Sequence, residues 1–367
     1  MEDGITFIGL DVHVKAIRVA SVGPDGVVMD RGEVVNRPAA VLAKLTRLAP
    51  AGSLRVCYEA GPTGYSLVRA LLAAGIACIV VAPSLIPIKV TDRVKTDRRD
   101  AAKLARLLRS GDLQAIAIPS PEQEALRDLA RLRQTAVRDL HRQRQRLRKY
   151  FSHHGIAEPA TGSRWTKGWW CWAKSVDVPH AAAQIALDDL RRTIDHHTER
   201  VDALTTALTA TVTSGQPDRV AQALQVLHGI GPITAASIQA EVGDLRRFQH
   251  PQQLFAYAGL VPSEHSSGAR QSRGGITHTG NAHVRYLIVE AAWHYITPIK
   301  PRTGNGPKTE VERIAAHARK RLYDRYWRLV SRGKAKQEAI VAIARELLGY
   351  LWAVAQVVTP EPQPLAA

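Results

Sequence analysis

Residues 5–12 read ITFIGLDV, and the stretches IRVASV (17–22) and VVMDRGEVV (27–35) follow closely along the chain. All three are short and rich in β-branched residues, and turn signals such as VGPDG separate them. This pattern predicts three consecutive strands that pair as an antiparallel meander. The N-terminal part of the chain is therefore expected to build a sheet that begins with antiparallel strands.

The next segment alternates between helical and strand patterns. PAAVLAKLTRLA (38–49) and GYSLVRALLAAG (64–75) have helical spacing, whereas LRVCYEA (54–60) and IACIVVAP (76–83) are apolar strands. Three hairpin strands followed by alternating helix and strand are typical of the ribonuclease H architecture, a mixed sheet with helices on both faces. We therefore predict an α/β domain that is RuvC/ribonuclease H-like over residues 1–118.

Two long helical patterns occupy the middle of the chain, residues 119–215. Apolar residues recur at alternating spacings of four and three along 122–151 and again along 187–208. Helices of this length and pattern pair as an antiparallel coiled coil or mediate dimerisation. The Trp-rich segment RWTKGWWCWAK (164–174) between them can stack on unpaired bases, but such clusters more often form a small core.

The remainder of the chain has a third composition. Residues 216–357 contain short helical patterns separated by glycine turns and, after a Pro/Gly-rich linker at 297–308, basic helical patterns. They predict a mainly α-helical C-terminal domain. Residues 358–367, VTPEPQPLAA, are predicted to be a disordered tail.

The bulk charge of the chain indicates a polyanionic partner. Its 367 residues include 50 Lys and Arg against 33 Asp and Glu, a formal net charge of +17 at pH 7. A surface this basic attracts nucleic acid over distances comparable to the Debye length, although solvated basic faces also occur on proteins that bind none. We therefore expect nucleic acid to be the partner.

Cysteine usage and hydropathy predict the cellular compartment. Cys57, Cys78 and Cys171 are an odd number at wide spacing, which favours neither a disulfide framework nor a zinc site. The N-terminus lacks the basic and long apolar regions of a secretory signal. We see no stretch that approaches the roughly 20 apolar residues of a membrane span. We therefore expect a cytoplasmic protein without a membrane partner.

Four acidic residues stand where a metal site would need them. Asp11 and Glu59 end strands that are predicted neighbours, so both carboxylates can emerge at one edge of the sheet. Asp97 and Asp100 are three apart at the start of a helix and share one face. Hard carboxylate oxygens suit Mg²⁺ or Mn²⁺, which promote phosphodiester chemistry. The set predicts a metal site, although each acid alone can also cap a helix or turn.

The segment LHGIGPITAASI, residues 227–238, holds a Gly-x-Gly turn between two short helical patterns. Gly229 and Gly231 allow backbone N–H groups and the start of the next helix to approach a phosphate closely, while Ile230 is expected in the core. The pattern is typical of a helix-hairpin-helix motif, which binds the nucleic-acid backbone without reading sequence. A plain pair of packed helices is the alternative.

A Gly/Ser-rich loop follows within residues 255–285, FAYAGLVPSEHSSGARQSRGGITHTGNAHVR. It carries Arg270, Arg273 and His278, and Arg285 lies one turn into the next helix. Such a loop suits gripping a phosphate or presenting a hydroxyl to one.

Several serines lie in this loop, and the physical pattern does not choose among them. Ser266, Ser267 and Ser272 are all candidates for a nucleophile. Serines in loops, however, are usually solvated turn formers.

Five motifs, in their order and spacing, resemble the DEDD insertion-sequence transposases of the IS-one-ten family. They are the strand IGLDVHVK, the strand end YEAGPTGY, the helix start KTDRRDAAKLARLL, the hairpin LHGIGPITAASI and the block FAYAGLVPSEHSSGARQSRGGITHTGNAHVR. The resemblance runs from about residue 5 to about residue 295.

This resemblance implies a RuvC-like domain, a coiled-coil middle and a C-terminal transposase domain. It implies that the family's four metal-binding acids correspond to Asp11, Glu59, Asp97 and Asp100. In such enzymes a loop serine before a glycine is the DNA nucleophile. Ser267, before Gly268, matches best, and the adjacent Ser266 leaves the register open by one.

The resemblance also implies partners. These are donor and target DNA, a guide-type non-coding RNA from the element's own ends, and further copies of the chain in a homodimer or homotetramer. Arginines of the first long helix are then expected contacts of the nucleic-acid backbone, namely Arg131, Arg133, Arg138, Arg142, Arg144, Arg146 and Arg148.

Three functions from different classes are compatible with these patterns. The first is an RNA-guided recombinase that cuts and rejoins DNA through a phosphoserine bond. The second is a metal-dependent Holliday-junction-type nuclease that uses water on the same four acids. The third is a nucleic-acid-binding protein with a decayed site. Intact acids at all four positions count against the third function. The Gly/Ser-rich loop with SSGARQSRGG at 266–275, called the Ser/Arg loop below, counts against the second.

Overall fold

The computed structural model describes residues 4–87, 96–160, 162–214, 219–264, 273–298 and 309–358. The chain forms two compact units, Met1–Pro119 and Ser120–Ala367. The linker prediction at 297–308 and the tail prediction at 358–367 fall almost entirely outside the described residues.

The N-terminal unit is built on a five-stranded mixed sheet in the order β3-β2-β1-β4-β5. The first three strands pair antiparallel, whereas β4 and β5 continue the sheet parallel to β1. The strands are β1 (Thr6–Val12), β2 (Ala16–Val22), β3 (Val28–Val35), β4 (Leu54–Glu59) and β5 (Ala77–Val81). The mixed α/β class predicted for this part of the chain is confirmed.

Helices cover both faces of this sheet. Helices α1 (Pro38–Thr46) and α2 (Ser66–Ala73) pack on one face through an apolar core that includes Ile8 and Leu10. Helix α3 (Asp97–Ser110) packs against β1 and β2 on the other. Because side chains alternate along a strand, the residues of β1 divide between these two layers.

Gly9 lies where α3 approaches the sheet most closely. A Cβ at this position would lie 2.1 Å from the main-chain oxygen of Ala101 and 2.5 Å from the nitrogen of Ala105. Glycine is therefore required here, because any side chain would push the helix away from β1.

The second unit is mainly helical, as predicted. Its helices are α4 (Pro121–His153), α5 (Lys167–Ser175), α6 (Ala181–Ser214), α7 (Arg219–Leu224), α8 (Pro232–Val242), α9 (Pro251–Tyr257), α10 (Ala282–Ala292), α11 (Glu310–Ser331) and α12 (Lys336–Val357). Strands β6 (Pro262–Glu264) and β7 (Arg273–Ile276) form a small antiparallel sheet.

The two long helices α4 and α6 pack side by side and run antiparallel. The Tyr150 hydroxyl donates to the carbonyl of Ala183 at 2.7 Å, and the Arg133 Nε donates to the Thr205 hydroxyl at 2.7 Å. Contacts near the end of one helix thus match the start of the other. Trp169 is buried between them at 6% exposure, so part of the Trp-rich segment forms a core.

Helix α12 corrects one expectation from the sequence. Among the described residues it is the one helix that is long and apolar enough to cross a membrane, with a mean hydropathy of 1.5 over its 18-residue window. The expectation that no stretch approaches that length was wrong. The helix is apolar on several sides because it packs against α7, α9, α10 and α11 in the core of this unit.

Candidate functional site

Two carboxylates lie at the same edge of the N-terminal sheet. Asp11 is near the end of β1, and Glu59 is the last residue of β4. Leu10 pairs with Tyr58 in parallel register, so the two acids follow at the same level on neighbouring strands. Strand alternation gives both acids the sheet face of Gly9, which is the face that α3 covers.

The first turn of α3 contributes two further carboxylates, Asp97 and Asp100. The N-cap of this helix is Thr96, whose hydroxyl oxygen accepts a main-chain hydrogen bond at 3.4 Å. Neither acid is therefore needed as the cap, a role that sequence alone left open for Asp97.

A compact group forms where these elements meet. Ligand atoms of Asp11, His13 and Asp97 all lie within 4.8 Å of one another. The His13 Nε2 is 3.2 Å from Asp11 Oδ2 and 3.6 Å from Asp97 Oδ2. Glu59 and Asp100 lie at the same strand edge and in the same helical turn, respectively, but fall outside this group.

The electrostatics of Asp11 reflect this crowding. Burial raises the pKa of its carboxyl above the usual value, His13 partly offsets the rise, and the charges of Asp97 and Asp100 add to it. Both burial and like charges disfavour the ionised form. A divalent cation among these oxygens would relieve the repulsion, so the donor set fits Mg²⁺ or Mn²⁺.

Sequence reasoning did not single out His13. The available signal was its closeness to Asp11 in the sequence, because a residue that directly follows a strand lies at the edge where that strand ends. Its position just after β1 places its ring beside the acids.

In the predicted hairpin, the two glycines have different surroundings. Gly229 has a φ of +82°, and a Cβ there would lie 2.6 Å from the carbonyl oxygen of Ala291, so close packing alone explains it. Gly231 is the N-cap of α8 and is exposed, with open space around it. Ile230 is buried at 3% exposure, as expected.

The loop candidates lie mostly outside the described residues. Ser266, Ser267, Arg270 and Ser272 all belong to 265–272, the connection between β6 and β7. Arg273 begins β7, but its side chain is also outside the described part.

The residues after this loop are described. His278 is exposed and has a φ of +57°, in the left-handed region. Arg285 is half-buried, and its guanidinium donates to the carbonyl of Ala258 at 2.9 Å. Arg285 thus holds the end of α9, a structural contact that its spacing did not predict.

The arginines of α4 divide into exposed and engaged groups. Arg142 is exposed and lies 3.1 Å from Asp139, and Arg146 is exposed and donates to the Gln143 side chain at 3.2 Å. Both are accessible to a polyanion. Arg131, in contrast, is committed to an acid inside the protein.

That acid is Glu241, which is only 1% exposed. Arg131 donates to both of its carboxylate oxygens, at 2.6 and 2.9 Å, and the Asn281 amide donates at 2.8 Å. Burial alone would raise the pKa of Glu241, but the bonds from Arg131 and Asn281 outweigh it and hold the pKa below its usual value. The carboxylate therefore joins α4, α8 and the start of α10.

Comparisons with known proteins bear on both units. A family model of DEDD transposases matches residues 8–155, and the model described as the IS116/IS110/IS902 transposase family matches residues 221–305. The putative transposase y4qE of Sinorhizobium fredii is 41% identical over 360 residues, covering 95% of this chain and 88% of the relative. The transposase for insertion sequence element IS1533 of Leptospira borgpetersenii is 26% identical over 337 residues, covering 89% and 97%.

Proposed function

This chain belongs to the IS116/IS110/IS902 family of transposases, enzymes that cut and rejoin DNA, and from that premise we propose how it does so. The resemblance seen in its sequence motifs is confirmed by these matches. The proposed reaction moves a mobile element by strand transfer through a covalent bond to Ser267, guided by a structured non-coding RNA. The grouping of Asp11 and Asp97 beside the sheet edge supports the metal site of this proposal, whereas the serine and the guide RNA rest on the resemblance to the family.

The metal site in this proposal belongs to a RuvC-like N-terminal domain. Asp11, Glu59, Asp97 and Asp100 would hold Mg²⁺ or Mn²⁺ through their carboxylate oxygens. A bound divalent cation supplies charge stabilisation to a reacting phosphodiester. The raised pKa of Asp11 supports this assignment, because crowded carboxylates favour a cation between them.

The proposed nucleophile is Ser267, with Ser266 as the alternative register. Its Oγ loses a proton and forms a bond to phosphorus, while the ester bond to the leaving strand breaks and that strand's oxygen gains a proton. The link between serine and DNA is itself a phosphodiester, so it keeps the free energy of the bond that was broken. A hydroxyl of another strand can therefore take the phosphorus and free the serine without an outside energy source.

Nucleic acid would be held by the helical unit. The turn at Gly229 and Gly231 acts in this proposal as a helix-hairpin-helix contact to the backbone. The remaining proposed contacts are Arg142, Arg146, Arg270, Arg273, His278 and Arg285. Donor DNA, target DNA and the guide-type RNA are the ligands.

We further propose that α4 and α6 act as a coiled-coil segment for assembly into a homodimer or homotetramer. Their length and antiparallel pairing support the coiled coil, and the assembly rests on the resemblance to the family. The reaction is proposed to take place in the cytoplasm, where element DNA and its transcript are available together.

Trapping the covalent intermediate tests the chemistry. Protein purified together with its RNA should, with Mg²⁺ and nicked donor DNA, give a protein–DNA adduct that mass spectrometry maps to Ser267. Ser267→Ala should abolish the adduct and strand transfer while leaving DNA and RNA binding intact. Ser263→Ala is the matched control, because its hydroxyl donates to the Gly275 carbonyl within the β6–β7 pair.

Two other outcomes decide between the proposal and its alternatives. An adduct at Ser266 or Ser272 would reassign the residue and keep the mechanism. Metal-dependent cleavage without any adduct, unaffected by Ser267→Ala, would instead favour a Holliday-junction-type nuclease that uses water. Sequencing the RNA that copurifies with the protein tests the guide.

A further inference from the structure

A small cavity opens between α4, α8 and α10 in the helical unit. Its volume is about 60 Å³, which holds several water molecules or one tetrahedral oxyanion, since a single water needs roughly 10–15 Å³. Its walls include Arg131, Arg133, Gln134, Glu241, His283 and Tyr286.

Gln134, one of the wall residues, carries an unpaired donor. Its side chain is 9% exposed, and its Oε1 accepts from the His283 ring. Its Nε2 has no hydrogen-bond partner among the described residues. A buried donor without an acceptor destabilises a fold, so an acceptor atom that reached this amide would be bound favourably.

The charges around the cavity favour an anion. The negative charge of Glu241 is balanced by Arg131, which donates to both carboxylate oxygens. The Asn281 amide donates a further hydrogen bond to the same carboxylate. Arg133 donates to the Thr205 hydroxyl, and within the described part of the chain no carboxylate pairs with its guanidinium. The cavity therefore retains a positive charge without a counterion.

One further cation lies beside a wall residue of the cavity. Arg138 lies over the Tyr286 ring, with its guanidinium carbon 5.1 Å from the ring centroid. Burial lowers the pKa of Arg133, which is the response expected of a cation that lacks an anionic partner.

We propose that this cavity binds one phosphate of the DNA backbone, with Arg133 supplying the charge and the Gln134 amide supplying a buried donor. A phosphodiester carries one negative charge, which matches the one uncompensated guanidinium among the described wall residues. The proposal rests on the family's action on DNA but on none of the strand-transfer chemistry proposed above.

Such a contact would fix the position of DNA on the second unit, Ser120–Ala367, without reading the DNA sequence. The wall residue His283 lies in the first turn of α10, whose N-cap Asn281 also holds Glu241. A phosphate here would therefore bind beside the helix that follows the Ser/Arg loop in the sequence.

The salt dependence of DNA affinity tests the proposal. A short duplex of mixed sequence is titrated with the full-length protein over a KCl series, with fluorescence anisotropy as the readout. Arg133→Gln should reduce the slope of log affinity against log salt by about 0.9, the value for one lost phosphate contact. At 0.15 M salt that slope change corresponds to about a 5-fold loss of affinity, equal for all sequences.

Gln134→Met provides a second, independent variant. It should weaken DNA binding without changing the slope, because a neutral donor displaces no counterion. The same change removes the Oε1 that accepts from the His283 ring, so without DNA its melting temperature should stay close to that of the wild type, because the lost bond and the lost unpaired donor offset each other. A purely structural Gln134 would give the reverse, a lower melting temperature with unchanged binding, and would overturn the proposal.

Arg192→Gln is the matched control for charge. Arg192 is 74% exposed on α6 and lies 3.8 Å from Asp189, outside the cavity. Its removal changes the net charge equally and should leave the slope as in the wild type.

Other outcomes separate this site from the proposed function. A wild-type slope in Arg133→Gln, in protein that still forms the serine adduct, overturns the phosphate site alone. The expected slope change in protein that forms no adduct supports the site and counts against the strand-transfer proposal. A slope change seen only with duplex RNA would assign the cavity to RNA and overturn the DNA proposal.

Discussion

At the scale of single residues, Asp11 carries an electrostatic penalty that a cation would remove. Burial and the charges of Asp97 and Asp100 raise the pKa of its carboxyl. The same crowding that weakens the metal-free fold strengthens a site for a divalent ion. Stability and metal binding should therefore change together when this charge is removed.

Asp11→Asn tests that coupling. In chelator, the variant should melt at or above the wild-type temperature, because a repelling charge has been removed. Mg²⁺ or Mn²⁺ should raise the melting temperature of the wild type more than that of the variant, since an amide is a poorer ligand. Strand transfer should fall by roughly 100-fold or more.

Asp112→Asn is the control, because Asp112 follows α3 at its other end and accepts a hydrogen bond only from Ser110 among the contacts described. It should respond to metal as the wild type does. An equal metal response from Asp11→Asn would remove Asp11 from the site.

Single residues also show what sequence can and cannot predict. The common edge of Asp11 and Glu59 follows from strand order and alternation, so it could be predicted. Glu241 and Arg131 are 110 positions apart, and no local pattern links them. Helical periodicity describes which face of a helix is apolar, but not which distant charge that face meets.

At the scale of elements, the contact between β1 and α3 positions the carboxylates. Gly9 allows α3 to lie against the strand, and the first turn of that helix carries Asp97 and Asp100. The positions of the acids therefore depend on the packing of α3 at Gly9, and not only on contacts that the acids make themselves.

Gly9→Ala should separate these two elements. An added methyl group would overlap main-chain atoms of α3, and overpacking costs about 1–3 kcal/mol or more. We expect a loss of unfolding free energy of at least that size in urea, together with a weaker Mn²⁺-induced rise in melting temperature.

Gly52→Ala is the matched control, because nothing lies within 4 Å of a Cβ at that position. It should change neither measurement appreciably. A Gly9→Ala protein with wild-type stability and metal response would show that α3 can shift without disturbing the site.

Glu241 connects three helices, and its ionisation should govern their stability. Its pKa is lowered in the folded state, so its contribution is present above the unfolded pKa of about 4.3 and is lost as pH falls through the folded value. Glu241→Gln should lower the unfolding free energy by about 3–5 kcal/mol at neutral pH. The difference from the wild type should shrink below about pH 4.3.

Arg131→Met combined with Glu241→Leu provides the control. Removing both partners leaves no unpaired buried charge, so the double variant should recover much of the lost stability. Equal damage from the single and double variants would mean that packing, and not the ion pair, joins these helices.

Element boundaries were predicted more closely than element roles. The helix expected over 122–151 extends over Pro121–His153, because the Ser120 hydroxyl caps its start by accepting from the Gln123 N–H. The apolar length of α12 follows from hydropathy alone and could have been predicted, whereas its place in the core depends on tertiary packing.

At the scale of the whole molecule, the two compact units divide the proposed work. Met1–Pro119 contains the carboxylates and has its own apolar core on both faces of the sheet. Ser120–Ala367 contains the hairpin, the Ser/Arg loop and the proposed phosphate cavity. The proposed reaction uses groups from both units.

A fragment of residues 1–119 should therefore fold and respond to metal but do no strand transfer. We expect dispersed NMR signals and a Mn²⁺-dependent rise in melting temperature, because a domain of this size can bury a sufficient core. No DNA adduct should form. A fragment of 120–367 should keep the salt-dependent binding of DNA, and an unfolded 1–119 fragment would contradict this division.

The buried pair of Glu241 and Arg131 also limits how this protein can diverge over evolutionary time. A typical domain is stable by only about 5–15 kcal/mol, and loss of either partner alone removes about 3–5 kcal/mol of that. A lineage that changes one residue first must pass through a weakly folded ancestor. Descendants are therefore expected to inherit the acid and the arginine together or to have replaced both, which links the histories of two positions 110 residues apart.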